Sequence, residues 1–410
     1  MLSRRIKFSA ILLNALLAIG TASANESVDV LNNTLSDLRE QGVDLGFTHK
    51  SDVLAVMDGG LKRGVGWMGH TEARLGIDLD KILGWSSTNI YLHYHSDLGS
   101  KFNRDRVGAV VGVDNIEVAT NTAQFYQAWV QKGFIKDRLS ILAGIYPIDS
   151  EFYVTDTSAL FIQPPYGMSN ELAMSGRAGP PAFPLGALAL RIKYKTENEN
   201  FYLMGALSDG VPGDPDHHHG THIKLGHGDG TMSIVELGYS PHSEIDVDQK
   251  KESAELFNKT AIGFWRYSAK FDALDGISSQ SHSGGAYILS ERTLWVEPGH
   301  PSEGLAGFMR FGVANASINP LDWTASLGMR YHGLITGRDN DIAGIAVTVN
   351  HASSHLHASE SQETNFEATY RLQLRPWLAI QPNFQYILHP GLNTNIGNAW
   401  IVGVRTELTI

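Results

Sequence analysis

The feature that most constrains this chain is an alternation of polar and apolar residues with a period of two, which begins near Val43 and recurs to the C-terminus. Between Met68 and Leu79, for example, Glu72 and Arg74 fall on a polar face, and apolar residues occupy the positions between. Successive side chains of a strand point to opposite faces, so the pattern predicts strands with one polar and one apolar face. A soluble β-sandwich also contains such strands, but the repetition along the whole chain favours a barrel in lipid.

We count about sixteen such segments, and bacterial barrels have an even number of strands. An open sheet in lipid would leave the N–H and C=O groups at its edges unpaired, at a cost of several kcal/mol each, whereas closure removes the edges. The sequence therefore predicts an all-β fold, an antiparallel transmembrane β-barrel of about sixteen strands. The predicted strands are 43–56, 66–79, 88–97, 122–132, 138–146, 187–195, 200–207, 231–239, 259–267, 287–296, 305–314, 322–332, 342–351, 363–375, 378–388 and 397–409.

The lengths of the connections support this assignment, because barrels of this kind have short turns at one end and longer loops at the other. Short connections occur where turns are expected, at 133–137, 196–199 and 376–377. Long ones occur where outer loops are expected, at 98–121, 147–186 and 208–230. Two connections fit poorly, since 57–65 is short for a loop and 240–258 is long for a turn.

The longest connection, residues 147–186, is the third predicted outer loop. It contains the stiff pairs Pro164-Pro165 and Pro180-Pro181 and an apolar stretch at Ala159–Ile162. A loop exposed to solvent gains little from such apolar residues, although an ordinary surface loop remains the alternative. We expect this loop to fold inward and narrow the water-filled channel that a barrel of this size encloses.

The N-terminus has the pattern of an export signal, with basic residues at Arg4, Arg5 and Lys7, an apolar run and the cleavage pattern Ala22-Ser23-Ala24. Residues 1–24 are expected to be a cleaved signal peptide, 25–42 a helical segment, and 43–410 the barrel domain, located in a bacterial outer membrane. The formal charge of the chain is −11, and residues 1–24 carry no acidic residue. An acidic mature chain argues against nucleic acid as a partner. The chain also lacks cysteine, so disulfides cannot stabilise it.

A channel for sugars needs hydrogen-bonding groups for hydroxyls and aromatic surfaces for the C–H faces of the ring. The predicted inward faces and loop 147–186 supply both kinds of group. Because acidic and basic residues are mixed, the set suits a neutral polyol better than an ion. The candidate pore-lining residues are Glu72, Arg74, Tyr91, His93, Trp129, Asp149, Glu151 and Arg191.

Several long segments resemble the OprB-type carbohydrate-selective porins, in the order in which that family carries them. They are Tyr146–Phe161, Gln163–Gly167, Phe183–Arg191, Asp209–Gly213, Lys259–Tyr267 and Arg375–Ile387. The resemblance extends from about Gly60 to Arg405 and implies a sixteen-stranded barrel through which glucose and related sugars diffuse. Constrictions in that family use Arg and Glu with an aromatic residue, and Glu72, Arg74 and Trp129 stand on matching strands. The chain ends in Ile410, where outer-membrane barrels often have Phe.

Three other functions are possible for a barrel of this kind. A barrel hydrolase would need a pair such as His282 and Ser283, but adjacent residues on a strand point apart. A channel for acidic solutes would need a ladder of arginines, and here acidic residues match them. A structural barrel with a plugged lumen is the third.

The expected partners are small sugars, outer-membrane lipid and the outer-membrane assembly machinery, and the chain is expected to be a monomer or a trimer. No cofactor or metal ion is expected. The histidines and aspartates within 208–230 are interpreted as a flexible polar loop, because loop histidines lack the supporting contacts of a metal site.

Overall fold

The computed structural model describes residues 24–241, 256–277 and 279–410. The predicted signal peptide therefore lies outside the described residues, except for Ala24. Helix α1 (Ala24–Glu40) precedes the barrel, α2 (Leu79–Leu83) lies in a turn, and α3 (Asn170–Ala173) lies within loop 147–186. Among the described residues, none of the helices has the length and apolar content needed to cross a bilayer.

Sixteen strands form one closed barrel in which every strand pairs with its sequence neighbours and the last pairs with the first. All the pairings are antiparallel. The prediction of a sixteen-stranded barrel with a short N-terminal helix is thus confirmed. The strands are β1 (Val43–Gly60), β2 (Gly64–Asp78), β3 (Thr88–Gly99), β4 (Thr122–Phe134), β5 (Leu139–Tyr146), β6 (Ala187–Lys195), β7 (Phe201–Asp209), β8 (Thr231–Tyr239), β9 (Asn258–Phe271), β10 (Ser281–Glu297), β11 (His300–Ala314), β12 (Leu321–His332), β13 (Ile342–Ala352), β14 (Gln362–Arg375), β15 (Leu378–Leu388) and β16 (Gly397–Thr409).

Several strands are longer than predicted. Strand β10 begins at Ser281 rather than 287, and β1 runs to Gly60 rather than 56. Only three residues, 61–63, then connect β1 to β2, so the connection predicted at 57–65 is a tight hairpin. These extensions continue the backbone hydrogen bonding beyond the alternating stretch, which the hydropathy pattern does not record.

The two faces of the barrel wall differ in the sense that a lipid environment requires. In β8, Val235 and Leu237 are about half exposed, whereas Glu236 between them is fully buried. The same contrast recurs in β14, where Phe366 is exposed and Glu367 is buried. The outside is therefore apolar and the inside polar, the reverse of a soluble protein.

The barrel closes through a buried ion pair between its first and last strands. Asp52 of β1 and Arg405 of β16 are register partners, and their charged groups lie 2.5 Å apart. Asp114, in the connection between β3 and β4, lies 3.6 Å from the same guanidinium group. One cation thus joins both ends of the sheet to a connection at the end of the barrel that carries the long loops, which we call the loop end.

Candidate functional site

Loop 147–186 is hydrogen bonded to carboxylates that point inward from the barrel wall. Three carboxylates take part, and all three are buried. Each accepts a hydrogen bond from at least one backbone N–H group of the loop. The bonds run from Tyr153 to Glu236 (2.9 Å), from Thr157 to Glu291 (2.9 Å), and from Ile162 and Gln163 to Glu367 (2.7 and 3.0 Å). These acceptors come from β8, β10 and β14, so the loop is held at points on widely separated strands.

Arg310 of β11 makes the complementary contact, because it donates to backbone carbonyls of the same loop. Its guanidinium group bonds four of them, in Tyr153, Pro165, Tyr166 and Gly167, at 2.9–3.1 Å. The side chain is almost fully buried and also lies over the ring of Tyr153, 4.7 Å from its centre. Bonds to four carbonyls compensate much of the cost of burying this charge.

Apolar contacts fill the space between the loop and one side of the wall. Phe152 and Leu172 of the loop belong to a buried cluster with Met232 of β8 and Trp265 of β9. Further along, Leu160 and Phe161 pack with Phe308 of β11. The apolar residues of this loop are thus covered by protein rather than exposed to water.

Two cavities lie at opposite ends of the molecule. One, of about 560 Å³, opens at the loop end and is lined by residues that include Asn115, Asp149 and Phe183. The other, of about 520 Å³, lies beside α1 at the end that carries the short turns, which we call the turn end. It is lined by residues that include Arg74 and Tyr91.

Two of the candidate residues form an aromatic pair. Tyr91 of β3 and Trp129 of β4 are register partners, and their rings stack with centres 5.1 Å apart and planes 30° apart. The indole N–H of Trp129 donates to Gln127 at 2.9 Å. Both rings are half-buried, so part of their surface is available to a solute.

The charged candidates of β2 and β3 lie next to this pair. Glu72 lies 2.9 Å from Nε2 of His93 and 3.7 Å from Nε of Arg74. Arg74 also donates to the hydroxyl of Thr48 at 3.1 Å, and 38% of its side chain is exposed. The structure thus brings five of the eight candidates together on neighbouring strands.

Asp149 and Glu151 both stand at the start of loop 147–186, where the wall holds them. Asp149 accepts hydrogen bonds from the hydroxyl of Tyr126 and from the backbone N–H of Phe183, the latter at 2.8 Å. Burial raises the pKa of Asp149 above its usual range. These two hydrogen bonds offset part of the free energy that burial of the carboxyl group costs.

Glu151 is paired instead with two cations of β6. It lies 2.7 Å from Arg191 and 3.1 Å from Lys193, and it accepts a bond from the hydroxyl of Tyr146. Burial opposes ionisation, but Lys193 and Arg191 hold the pKa of Glu151 below its usual range. Arg191 also bonds Ser140 and Gln131, and only 4% of its side chain is exposed. It therefore positions Glu151 and offers little surface to a solute, whereas Lys193 is 25% exposed.

The residues that anchor the loop were missed by sequence reasoning. The alternation does predict that Glu236 and Arg310 point inward, since each is a polar residue between two apolar ones, whereas Glu291 stands between two polar residues. It does not indicate which inward residues meet the loop. Lys193 was expected on the inward face, although it is not one of the eight candidates, and Tyr126 was missed as a site residue.

His282 and Ser283, the pair that a barrel hydrolase would need, each contact a different residue. His282 and Ser283 are adjacent in β10. Ser283 donates to Asn319 at 2.7 Å, while Nδ1 of His282 lies 3.0 Å from the backbone oxygen of Ala269. In the connection between β7 and β8, Asp214 pairs with His217 at 2.7 Å and with Lys224 at 2.9 Å.

Comparisons with known proteins agree with this architecture. A family model described as carbohydrate-selective porin, OprB family, matches residues 62–410. Porin B of Pseudomonas aeruginosa is 22% identical over 419 aligned positions, covering 91% of this chain and 88% of that protein. Porin AaxA of Chlamydia muridarum is 30% identical over 105 positions, or 25% of this chain and 23% of that protein. The high-pH structure of OprB from Pseudomonas putida superposes with a TM-score of 0.77 at 19% identity, covering 93% of this chain and 97% of that one.

Proposed function

Because the chain belongs to the OprB family of carbohydrate-selective porins, we propose that it is a passive channel through which small neutral sugars of the glucose type cross the bacterial outer membrane. Loop 147–186 narrows the lumen between the cavity at the loop end and the cavity at the turn end. The protein acts by diffusion down a gradient and performs no chemical step.

The anchoring of loop 147–186 is the observation that carries this proposal. The backbone of the loop bonds inward carboxylates of three strands and the guanidinium group of Arg310. A loop fixed on several sides holds a constant opening, which a size-selective channel needs. The long loop thereby becomes part of the wall of the channel.

The path left beside the loop offers the two kinds of group that a sugar requires. Tyr91 and Trp129 supply an aromatic surface for the C–H face of a ring. Arg74 and Lys193 donate to hydroxyls, and Glu72 accepts from them. Acidic and basic groups stand close together, so their charges offset each other and the site does not select ions of one sign. Binding at such a site must stay weak, because a solute that binds tightly does not leave.

The remaining parts of the proposal concern delivery and surroundings. Residues 1–24 serve as the cleaved export signal, and the assembly machinery of the outer membrane inserts the barrel. The exposed apolar band contacts lipid.

Single-channel recording with added glucose tests this function, and the chain offers a matched control. We expect glucose to reduce the ion current of the unaltered protein. The double variant Tyr91→Ala and Trp129→Ala should weaken this block about tenfold, because it removes the aromatic surface on which the sugar ring stacks. Removing an aromatic side chain on which a nucleic acid base stacks costs about 1–3 kcal/mol, and we expect a comparable loss for a sugar. The control alters Tyr94 and Phe125, an aromatic pair of the same two strands whose rings are exposed on the outer face.

The results separate the alternatives. The control variant should keep the block by glucose unchanged. Absence of any steady conductance would favour a plugged barrel, and a current blocked by organic anions but not by glucose would favour a channel for acidic solutes. Equal loss of block in both double variants would contradict a role for the inward pair.

A further inference from the structure

A second cluster of polar side chains lies deeper in the wall, between β2, β3 and the end of loop 147–186. Nδ1 of His70 is 2.6 Å from one oxygen of Asp97, and Nδ1 of His95 is 2.5 Å from the other. The three side chains are at most 7% exposed. Their potential ligand atoms all lie within 4.8 Å of one another.

The outer nitrogens of both rings already face acceptors. Nε2 of His95 lies 3.2 Å from the backbone oxygen of Pro184, and Nε2 of His70 lies 3.5 Å from a carboxylate oxygen of Glu72. A neutral imidazole carries one hydrogen, so it can serve only one of the two acceptors that face each ring, and in a histidine that binds a metal through Nδ1 the hydrogen sits on Nε2. Each Nδ1 then presents a lone pair to Asp97, whose oxygens also carry lone pairs. Either a second proton on each ring or a cation is needed to make these contacts attractive.

The geometry at His95 argues for a cation. Although Nδ1 of His95 and the facing oxygen of Asp97 are 2.5 Å apart, neither atom has a hydrogen-bond partner among the described residues. The two atoms are therefore poorly aligned for a shared proton. Both side chains are fully buried, so bulk water does not reach these two atoms.

We propose that His70, His95 and Asp97 bind one divalent transition metal ion of the zinc, nickel and copper group. Two imidazole nitrogens and one carboxylate oxygen are ligands that these metals prefer, and a set of three leaves a fourth position for water. Tetrahedral bonds of about 2.0–2.2 Å place ligand atoms about 3.3 Å apart, so the ring that faces the ligating oxygen of Asp97 must withdraw by roughly 0.7 Å.

The contacts of the second nitrogen of each ring match those of histidines that bind metals in proteins. Ligating histidines almost always donate their other ring N–H to a carbonyl or a carboxylate, which fixes the tautomer and the orientation of the ring. Pro184 and Glu72 provide these two acceptors. The carbonyl of Pro184 also accepts from the amide of Gln124 at 2.8 Å, so its position is defined independently of His95.

A single side chain separates the cluster from the cavity at the loop end. The ring of Phe183 covers both imidazoles, with centres 5.5 Å from His70 and 5.6 Å from His95. The same residue lines the cavity of about 560 Å³ at that end. Rotation of one phenyl ring would therefore open the site to ions from outside. A bound ion would also fix the last part of loop 147–186 to β3.

The test uses the full-length folded barrel in detergent at pH 7.5, with zinc and copper ions as probes. Calorimetric titration with zinc should show one binding event at micromolar concentration. The electron paramagnetic resonance spectrum of added copper should show coupling to two nitrogen nuclei. His95→Gln should weaken binding at least about tenfold, and Asp97→Asn should do the same. The shift in gel mobility on heating reports whether each variant is folded.

The histidine-rich connection between β7 and β8 provides the control. A variant in which its histidines 217, 218, 219 and 222 are all replaced by Gln should keep the binding event and the copper spectrum. Loss of both in this variant, with retention in folded His95→Gln, would overturn the proposal. So would the absence of any micromolar binding to the unaltered protein, a measurement that does not depend on a variant folding.

Discussion

Arg310 carries a permanent charge inside the barrel, where its guanidinium group bonds four backbone carbonyls of loop 147–186. A guanidinium group has five N–H donors in a rigid plane, so one side chain can reach several acceptors at once. Lysine could not replace it, because an ammonium group has three donors around a single point. The charge thus fixes to the wall a loop that is also held by backbone hydrogen bonds of its own.

At this scale we predict that Arg310→Met releases the loop while the barrel still forms. Each buried carbonyl left without a donor costs about 1–3 kcal/mol, so the segment around Tyr166 should become mobile. Single-channel recordings should show a larger and noisier current. Arg292→Met is the control, because this arginine is exposed on the neighbouring strand, and its current should be unchanged. An unaltered current in folded Arg310→Met would contradict the prediction.

Loop 147–186 approaches β13 so closely that a side chain on the wall would collide with it. A Cβ atom added at Gly344 would lie 2.5 Å from the side chain of Leu160 and 3.0 Å from that of Phe161. Apolar packing and hydrogen bonds to Glu367 and Gln381 hold this part of the loop in place. The element is therefore fixed by its fit to the wall as well as by charge.

We therefore predict that Gly344→Val displaces the loop around Leu160 and lowers the stability of the barrel by about 1–3 kcal/mol, the usual cost of overpacking. Urea unfolding in detergent measures the loss, and the rate of glucose entry into liposomes reports the displaced loop. Gly205→Ala is the control, since its added Cβ would meet neighbours only at 3.6 Å. Equal stability of the two variants would show that the loop adapts freely.

The whole molecule depends on closing a sheet whose first and last strands are far apart in sequence. Asp52 and Arg405 are 353 residues apart and meet in the buried lining of the barrel. Arg371 and Glu407 form a second pair at 2.8 Å, but about a fifth of each side chain is exposed. Water screens this second pair and leaves the first one unscreened.

At the scale of the molecule, we predict that Arg405→Met lowers the free energy of unfolding by about 3–5 kcal/mol, because it leaves Asp52 and Asp114 buried without their cation. Arg371→Met should cost under about 1 kcal/mol. Urea unfolding of both variants in the same detergent measures the difference. Similar losses in the two variants would mean that burial does not distinguish the pairs.

The sequence by itself determined the barrel, its number of about sixteen strands and the inward face of those strands in which polar and apolar residues clearly alternate. These properties follow from a local rule, since alternation needs only neighbouring residues and lipid demands closure. The candidates Glu72, Arg74, Tyr91, His93 and Trp129 lie together because they occupy the adjacent strands β2, β3 and β4.

Only the tertiary structure decided which inward residues hold the loop. Ile162 and Glu367 meet across 205 residues of sequence, and Tyr153 meets Glu236 across 83. No local period records such a meeting, because it depends on how the loop packs once the wall has closed. The grouping of His70, His95 and Asp97 was missed for a related reason, since the pairing register between β2 and β3 had first to place them side by side.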